Sequence, residues 1–220
     1  MAENISLDEN DSVKKIRHAG LFQRRQELRL HENAVGLSYR KYFMHREVQI
    51  SKEDITGLCY SFRVIQGHYF NWGVQFNIII TGRSGKQLRI DFKSFLNRQR
   101  NELLQQYQDL LELIWDRYFE PLVRNYLLEI EKGNEVEIGP VRINKNSITF
   151  KKTGLVGSCE KKIPMERLAL SEYRSYCTVY DNGDAAKTNA SYTYASDPWA
   201  VVIYSVVKAI VKTETVEDGS

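Results

Sequence analysis

Cysteine, histidine and long apolar runs are scarce in these 220 residues, and each scarcity excludes a class of protein. The three cysteines, Cys59, Cys159 and Cys177, are an odd number without paired spacing, which excludes a disulfide framework and a cysteine zinc site and points to a reducing, cytoplasmic compartment. The sequons at Asn4 and Asn189 then carry no sugar. The four histidines, His18, His31, His45 and His68, are scattered without the spacing that converges donors on one metal ion. The longest apolar stretch, Trp199 to Val211, is interrupted by Ser205 and Lys208 and falls short of the roughly 20 apolar residues that cross a bilayer. The start MAENISLDEN is polar and acidic, so no secretory leader, lipid anchor or transmembrane segment is expected.

Catalytic signatures are missing as well. There is no Gly-x-Ser-x-Gly elbow and no cysteine with an obvious base. The stretch Thr81-Gly82-Arg83-Ser84-Gly85-Lys86 looks at first like a phosphate-binding loop, but the leading glycine is replaced by Ile80 and the hydroxyl residue after the lysine by Gln87. It reads as a hairpin turn. The expectation is a protein that is not an enzyme and holds no cofactor and no metal.

What is present describes an ordinary globular chain: 42% hydrophobic and 27% charged residues, enough to bury a core. The net charge of +3 hides an asymmetry. Residues 1–12 and 213–220 hold seven acidic residues and no lysine or arginine, so the chain between them carries +10. A basic surplus suits acidic partners, and solubility alone also accounts for it.

The main positive signal is an internal repeat. Residues 28–55, LRLHENAVGLSYRKYFMHREVQISKEDI, return without a gap as residues 141–168, VRINKNSITFKKTGLVGSCEKKIPMERL. Leu28, Leu30, Val35, Leu37, Phe43 and Ile55 meet Val141, Ile143, Ile148, Phe150, Val156 and Leu168. Arg29, Asn33, Glu47, Ile50 and Glu53 meet identical residues. One supersecondary plan is used twice.

Along each copy the period is two. Leu28 and Leu30, then Val35, Leu37 and Tyr39, alternate with polar residues across His31-Glu32-Asn33, which predicts a hairpin with one buried face. Strands around Trp72–Thr81 and Lys86–Phe92 follow, joined by the Gly82–Gly85 turn. From Ser94 the period becomes helical: Leu103, Leu104, Tyr107, Leu110, Leu111, Ile114, Trp115 and Tyr118 line one face, so Trp115 is expected in the core. Pro121 should break or kink that helix, and a second one to Glu131 should end at Gly133 in a left-handed cap. The second half repeats the hairpin around Asn144-Lys145-Asn146, continues through strands at Leu168–Leu170, Tyr176–Tyr180 and Ser191–Tyr194, and closes with a helix that Asp197 caps and whose Trp199 faces the core.

Strands followed by a helix with an aromatic-rich face, together with Ile50-Ser51-Lys52-Glu53-Asp54-Ile55 and its counterpart Ile163-Pro164-Met165-Glu166-Arg167-Leu168, resemble the bacterial pleckstrin-homology (PH)-like families. The resemblance covers residues ~22–212. It implies an α+β fold of two PH-like, partly open β-barrels, each closed by a C-terminal helix and joined by a helical segment. The expected organisation is a disordered acidic tail at 1–12, a first PH-like domain at 13–132 with its long helix and strut, a second at 133–212, and a disordered tail at 213–220.

Two sets of candidate residues follow. In phosphoinositide-binding PH domains, cations near the first hairpin hold phosphates; the corresponding positions are Lys151, Lys152, Lys161 and Lys162 in the second copy and Arg40, Lys41, His45 and Arg46 in the first. The usual lysine-to-arginine pattern is absent, and such pairs also solvate a strand. Tyr42, Phe43, Tyr69 and Phe70 sit in expected loops, as interface anchors or as covers for the strand faces. A protein–protein adaptor is the leading expectation, recruitment to anionic membrane lipids the alternative, and a site for chemistry or a small ligand between the barrels the third. Nucleic acid is not an expected partner.

Overall fold

The computed structural model describes residues 12–16, 26–41, 44–66, 71–95, 100–154 and 157–217. They belong to two compact units, one of Met1–Ile55 with Tyr60–Tyr118 and one of Thr56–Cys59 with Phe119–Ser220.

In the first unit, β1 (Ser12–Ile16), β2 (Gln26–Leu30), β3 (Ala34–Lys41) and β4 (Met44–Ser51) form an antiparallel sheet in chain order. The alternating apolar residues Leu28, Leu30, Val35 and Leu37 are buried, and His31-Glu32-Asn33 makes the turn, closed by His31 N–H donating to Ala34 O at 2.9 Å. A single 3-10 turn, Lys52–Asp54, leads into a second sheet of β5 (Ile55–Gln66), β6 (Asn71–Gly82) and β7 (Gln87–Phe95). Gly85, at φ 77°, supplies the left-handed residue of the β6–β7 turn. Helix α1 (Arg100–Ile114) packs on β6 and β7 through Leu103, Tyr107, Leu110 and Ile114, with Tyr107 4.9 Å from the Phe76 ring. Leu104 stays exposed, and Trp115 is half-buried rather than a core residue.

Pro121 does not break the helical run. A π-turn, Trp115–Phe119, widens it just before the proline, where the ring would otherwise press on the carbonyl of Arg117. The π-turn also aims side chains at the first hairpin: Arg117 Nη1 donates to Leu30 O at 2.5 Å, and Tyr118 Oη reaches His31 O and Ala34 O at 2.7 and 2.8 Å.

The second unit opens with α2 (Glu120–Glu131), which ends as the sequence indicates: Gly133, at φ 89°, donates to Ile130 O while Asn134 N–H donates to Glu129 O. Strands β8 (Val136–Ile138), β9 (Val141–Asn144), β10 (Ser147–Gly154) and β11 (Gly157–Pro164) form one antiparallel sheet. The 3-10 turn Met165–Arg167 leads to another, of β12 (Leu168–Glu172), β13 (Tyr176–Asp181) and β14 (Asn189–Thr193), and α3 (Ala200–Glu217) packs on β12 and β13. The helix starts later than Asp197 and differently: the Asp197 carboxylate turns back to the Thr193 amide at 2.6 Å, and its backbone carbonyl accepts from Ala200. Trp199 is half-buried and lies against Gly139, where an added Cβ would fall 2.2 Å from the indole ring. The helix runs on to Glu217, past the expected domain end at residue 212.

The expected pair of partly open barrels joined by a helical segment is therefore not the fold. The protein is mostly β-sheet, divided among four separate sheets, and no closed barrel exists among the described residues. The cause is the 3-10 turn in each unit, which carries the chain out of the first sheet so that β5 and β12 pair with the strands after them. Nor is the helical run a free strut, since α1 packs on sheet strands of its own unit and α2 on α3 and β8 of the other.

Both 3-10 turns are fastened in the same way. Lys52 N–H donates to Asn33 O and Met165 N–H to Asn146 O; Asp54 O accepts from Arg83 N–H and Arg167 O from Asn182 N–H, all within 3.0 Å. The second turn adds an ion pair: Arg167 Nε and Nη2 donate to the two oxygens of buried Asp181 at 2.8 and 2.5 Å. Burial alone would raise the Asp181 pKa, but the Gly183 amide, 2.8 Å away, and the Arg167 guanidinium outweigh it and hold the carboxyl below its ordinary value.

Two stability predictions follow from this packing. Because the folded-state pKa of Asp181 is depressed, its contribution is present above the unfolded value of about 4 and is lost as pH falls below it. Asp181→Asn should lower the thermal midpoint at pH 7 and flatten the acid-induced loss below about pH 4, as read by circular dichroism melts across pH. Gly139→Ala combines a left-handed backbone (φ 57°) with the Trp199 clash and should cost about 2–4 kcal/mol in urea unfolding.

Candidate functional site

The candidate lysines lie on β10 and β11, where antiparallel pairing fixes which of them share a face. Lys151 stands across from Glu160, Lys162 across from Thr149, Lys161 across from Phe150, and Lys152 takes the register position opposite Cys159. Lys151 and Lys162 are exposed, whereas Lys161 is half-buried on the face of core residue Phe150. Adjacent lysines in a strand must alternate, so the set does not gather on one rim.

The exposed face of this sheet is instead electrically balanced. Arg142 on β9 pairs with Glu160 on β11 at 2.9 Å, across the intervening β10, and lies 3.9 Å from Glu135. A groove of about 310 Å³ on this face is lined by Glu137, Arg142, Lys151 and Glu160 among others, two cations with two carboxylates. The first copy repeats the pair as Arg29–Glu47 at 3.4 Å. Two of the five identities in the repeat are thus accounted for by one cross-sheet contact. At these exposures each pair contributes at most about 1 kcal/mol.

In the first copy, Arg46 is exposed and stands opposite Tyr39, while Arg40 and His45 are register partners and Lys41 ends β3 opposite Met44. Tyr42, Phe43, Tyr69 and Phe70 lie outside the described residues.

On α3 and β12, Tyr204 Oη donates to Glu172 and accepts from Lys208, whose ammonium also sits 4.7 Å from the Tyr204 ring centre. A phenol beside a lysine suggests an activated acid–base, but partial burial, with the adjacent Glu172, raises the Tyr204 pKa. The phenol is held protonated, a bridge between strand and helix. Cys59 and Cys177 are buried, and burial pushes both thiols up to about 11, away from the thiolate that a nucleophile requires. Among the described residues no three His, Cys, Asp or Glu side chains gather to hold a metal ion. No helix among them is long and apolar enough to cross a membrane.

Two surface features escaped the sequence reading. The β12–β13 hairpin stacks Tyr173 on Tyr176, with ring centres 4.5 Å apart and planes 17° apart, and places exposed Arg174 between them in sequence. In the first unit, the end of β5 exposes Phe62 and Val64. Phe62 and Val64 read from the sequence only as strand residues, because period two assigns a face and not its cover, and Tyr173 and Arg174 fall between two expected strands.

Compared with known proteins, the chain matches no protein-family model and no curated protein. The PH-like resemblance rests on the quoted segments alone.

The thiols give a direct check on these environments. With a chromogenic disulfide reagent at pH 8, exposed Cys159 should react at once and Cys59 and Cys177 only on unfolding, giving one fast thiol per native chain and three in denaturant.

Proposed function

We propose that this protein is a non-enzymatic binding module, a protein–protein adaptor of the cytoplasm. The observation that carries the reading is the Tyr173–Tyr176 stack. Tyr173 N–H donates to Tyr176 O at 2.9 Å, which fixes the hairpin, and the two rings hold each other while Tyr173 remains 49% exposed. Rigid aromatic side chains beside an arginine are the groups that dominate protein interfaces, since they bury much area for little lost entropy. The three free cysteines suit a reducing compartment.

Recruitment to anionic membranes has the divided lysines and the balanced charges of the β8–β11 sheet against it. In affinity capture from lysate, a partner retained by the wild-type chain should drop at least tenfold with Tyr173→Ala/Arg174→Ala, while the thermal midpoint stays within a few degrees. Equal capture by both proteins would remove the hairpin from the interface. Sedimentation with anionic liposomes that fades with salt and is lost in Lys151→Glu/Lys162→Glu would replace the adaptor reading with the membrane one.

A further inference from the structure

The geometry points to the outer edge of β5, from Phe62 to Gln66, as a site where an extended segment of a partner protein adds as a new strand, with apolar residues over Phe62 and Val64 and an acidic residue facing Arg63. This rests on the protein-binding reading for the nature of the ligand, but it uses a different surface in a different unit.

Strand β5 is terminal in its sheet, and β7, the opposite edge strand, is the one that lies against β3 and β4. Among the described residues no strand pairs with the outer side of β5. The direction of its backbone groups follows from Leu58, whose N–H donates to Pro198 O at 2.7 Å and so points away from β6. Residues of the same parity repeat that direction, which aims the amides and carbonyls of Phe62, Val64 and Gln66 outward. Edge strands usually carry a proline, a bulge or an inward charge that blocks further pairing, and YSFRVIQ contains neither proline nor glycine.

The side chains reinforce the backbone. Of the five large apolar residues that the described chain leaves exposed, two are Phe62 and Val64, on one face of this edge. That face continues the core: the Phe62 ring lies 5.2 Å from Phe76, which lies 4.9 Å from Tyr107. An added strand with apolar residues at alternate positions would extend the core by one strand. On the opposite face Arg63 is the one charged residue of Tyr60–Gln66; it is exposed and is held by two hydrogen bonds, from Nε and Nη2 to Gln75 Oε1 at 3.0 and 2.7 Å. An acidic side chain opposite it completes the pairing. A second copy of the chain fits less well, since the antiparallel register that joins Phe62 to Val64 sets Arg63 against Arg63.

A library of linear twelve-residue peptides displayed on phage, panned on the full-length protein, tests this. Enriched peptides should alternate apolar and acidic residues and, as synthetic peptides, slow hydrogen exchange at the Phe62, Val64 and Gln66 amides. Val64→Pro removes one outward amide and leaves the ladder to β6 intact, so it should weaken binding at least tenfold without loss of fold; Val64→Lys serves the same purpose if the proline variant is unstable. Enriched peptides that bind both variants as well as wild type would overturn the site, and protection at Tyr173–Tyr176 instead would do so while keeping the adaptor reading. Self-association in sedimentation equilibrium that Val64→Lys abolishes would make the occupant a second copy and overturn the assignment to a foreign strand.

Discussion

Everything in each unit depends on one 3-10 turn and the backbone bonds at its two ends. Lys52–Asp54 and Met165–Arg167 are three residues long and too short to be stable alone, yet each is tied by its first amide to the hairpin turn of the sheet before it and by its last carbonyl to the hairpin turn of the sheet after it. Those bonds set the position of the second sheet relative to the first within the unit. They also explain the apolar residues on either side: Ile50 and Ile163 before the turn and Ile55 and Leu168 after it are all buried. A turn that leaves one sheet and enters the next places apolar residues on both flanks because both flanks meet the same core.

The two copies then solve the same junction with different side chains. In the second, Asp181 sits at the start of the β13–β14 turn and clamps Arg167, the last residue of the 3-10 turn. The first copy has Gly82 at the corresponding turn, where a Cβ would come 3.1 Å from Ile50 Cγ2, and its acidic residue Asp54 is bonded locally by Ser51 Oγ at 2.7 Å. One copy uses a long-range ion pair and the other close packing. The shared backbone bonds, and not these side chains, are what the repeat preserves.

That difference marks how much was legible in the chain. The repeat could be read because its identities have jobs that survive divergence: Arg29 and Glu47, like Arg142 and Glu160, pair across a strand, and Asn33 and Asn146 supply the carbonyl that receives the 3-10 turn. Hairpin turns and the Gly133 cap could be read because backbone geometry restricts which residues fit. Sheet partition could not, since period two reports which residues share a face and says nothing of which strand lies alongside. The same alternation, applied to Lys151-Lys152 and Lys161-Lys162, divides the lysines between two faces, which a correspondence of positions with PH domains does not show. The π-turn before Pro121 left no signal at all, because its effect is to let an ordinary helical pattern continue.

Strand β5 shows why a surface reading has to follow backbone direction and not composition. Its first half buries Ile55, Leu58 and Cys59, its second half exposes Phe62 and Val64, and nothing in residue type separates Leu58 from Val64. What separates them is the outward edge. Leu58 has the Pro198 carbonyl on its amide, and Gly57 beside it is so close that a Cβ would lie 2.6 Å from Pro198, so that stretch already accepts a backbone neighbour. The same edge, two and three residue pairs further on, presents the same groups with no strand against it among the described residues. Completion at one end is direct evidence that the edge has the geometry to be completed, and the apolar residues beside the open end supply the free energy for it.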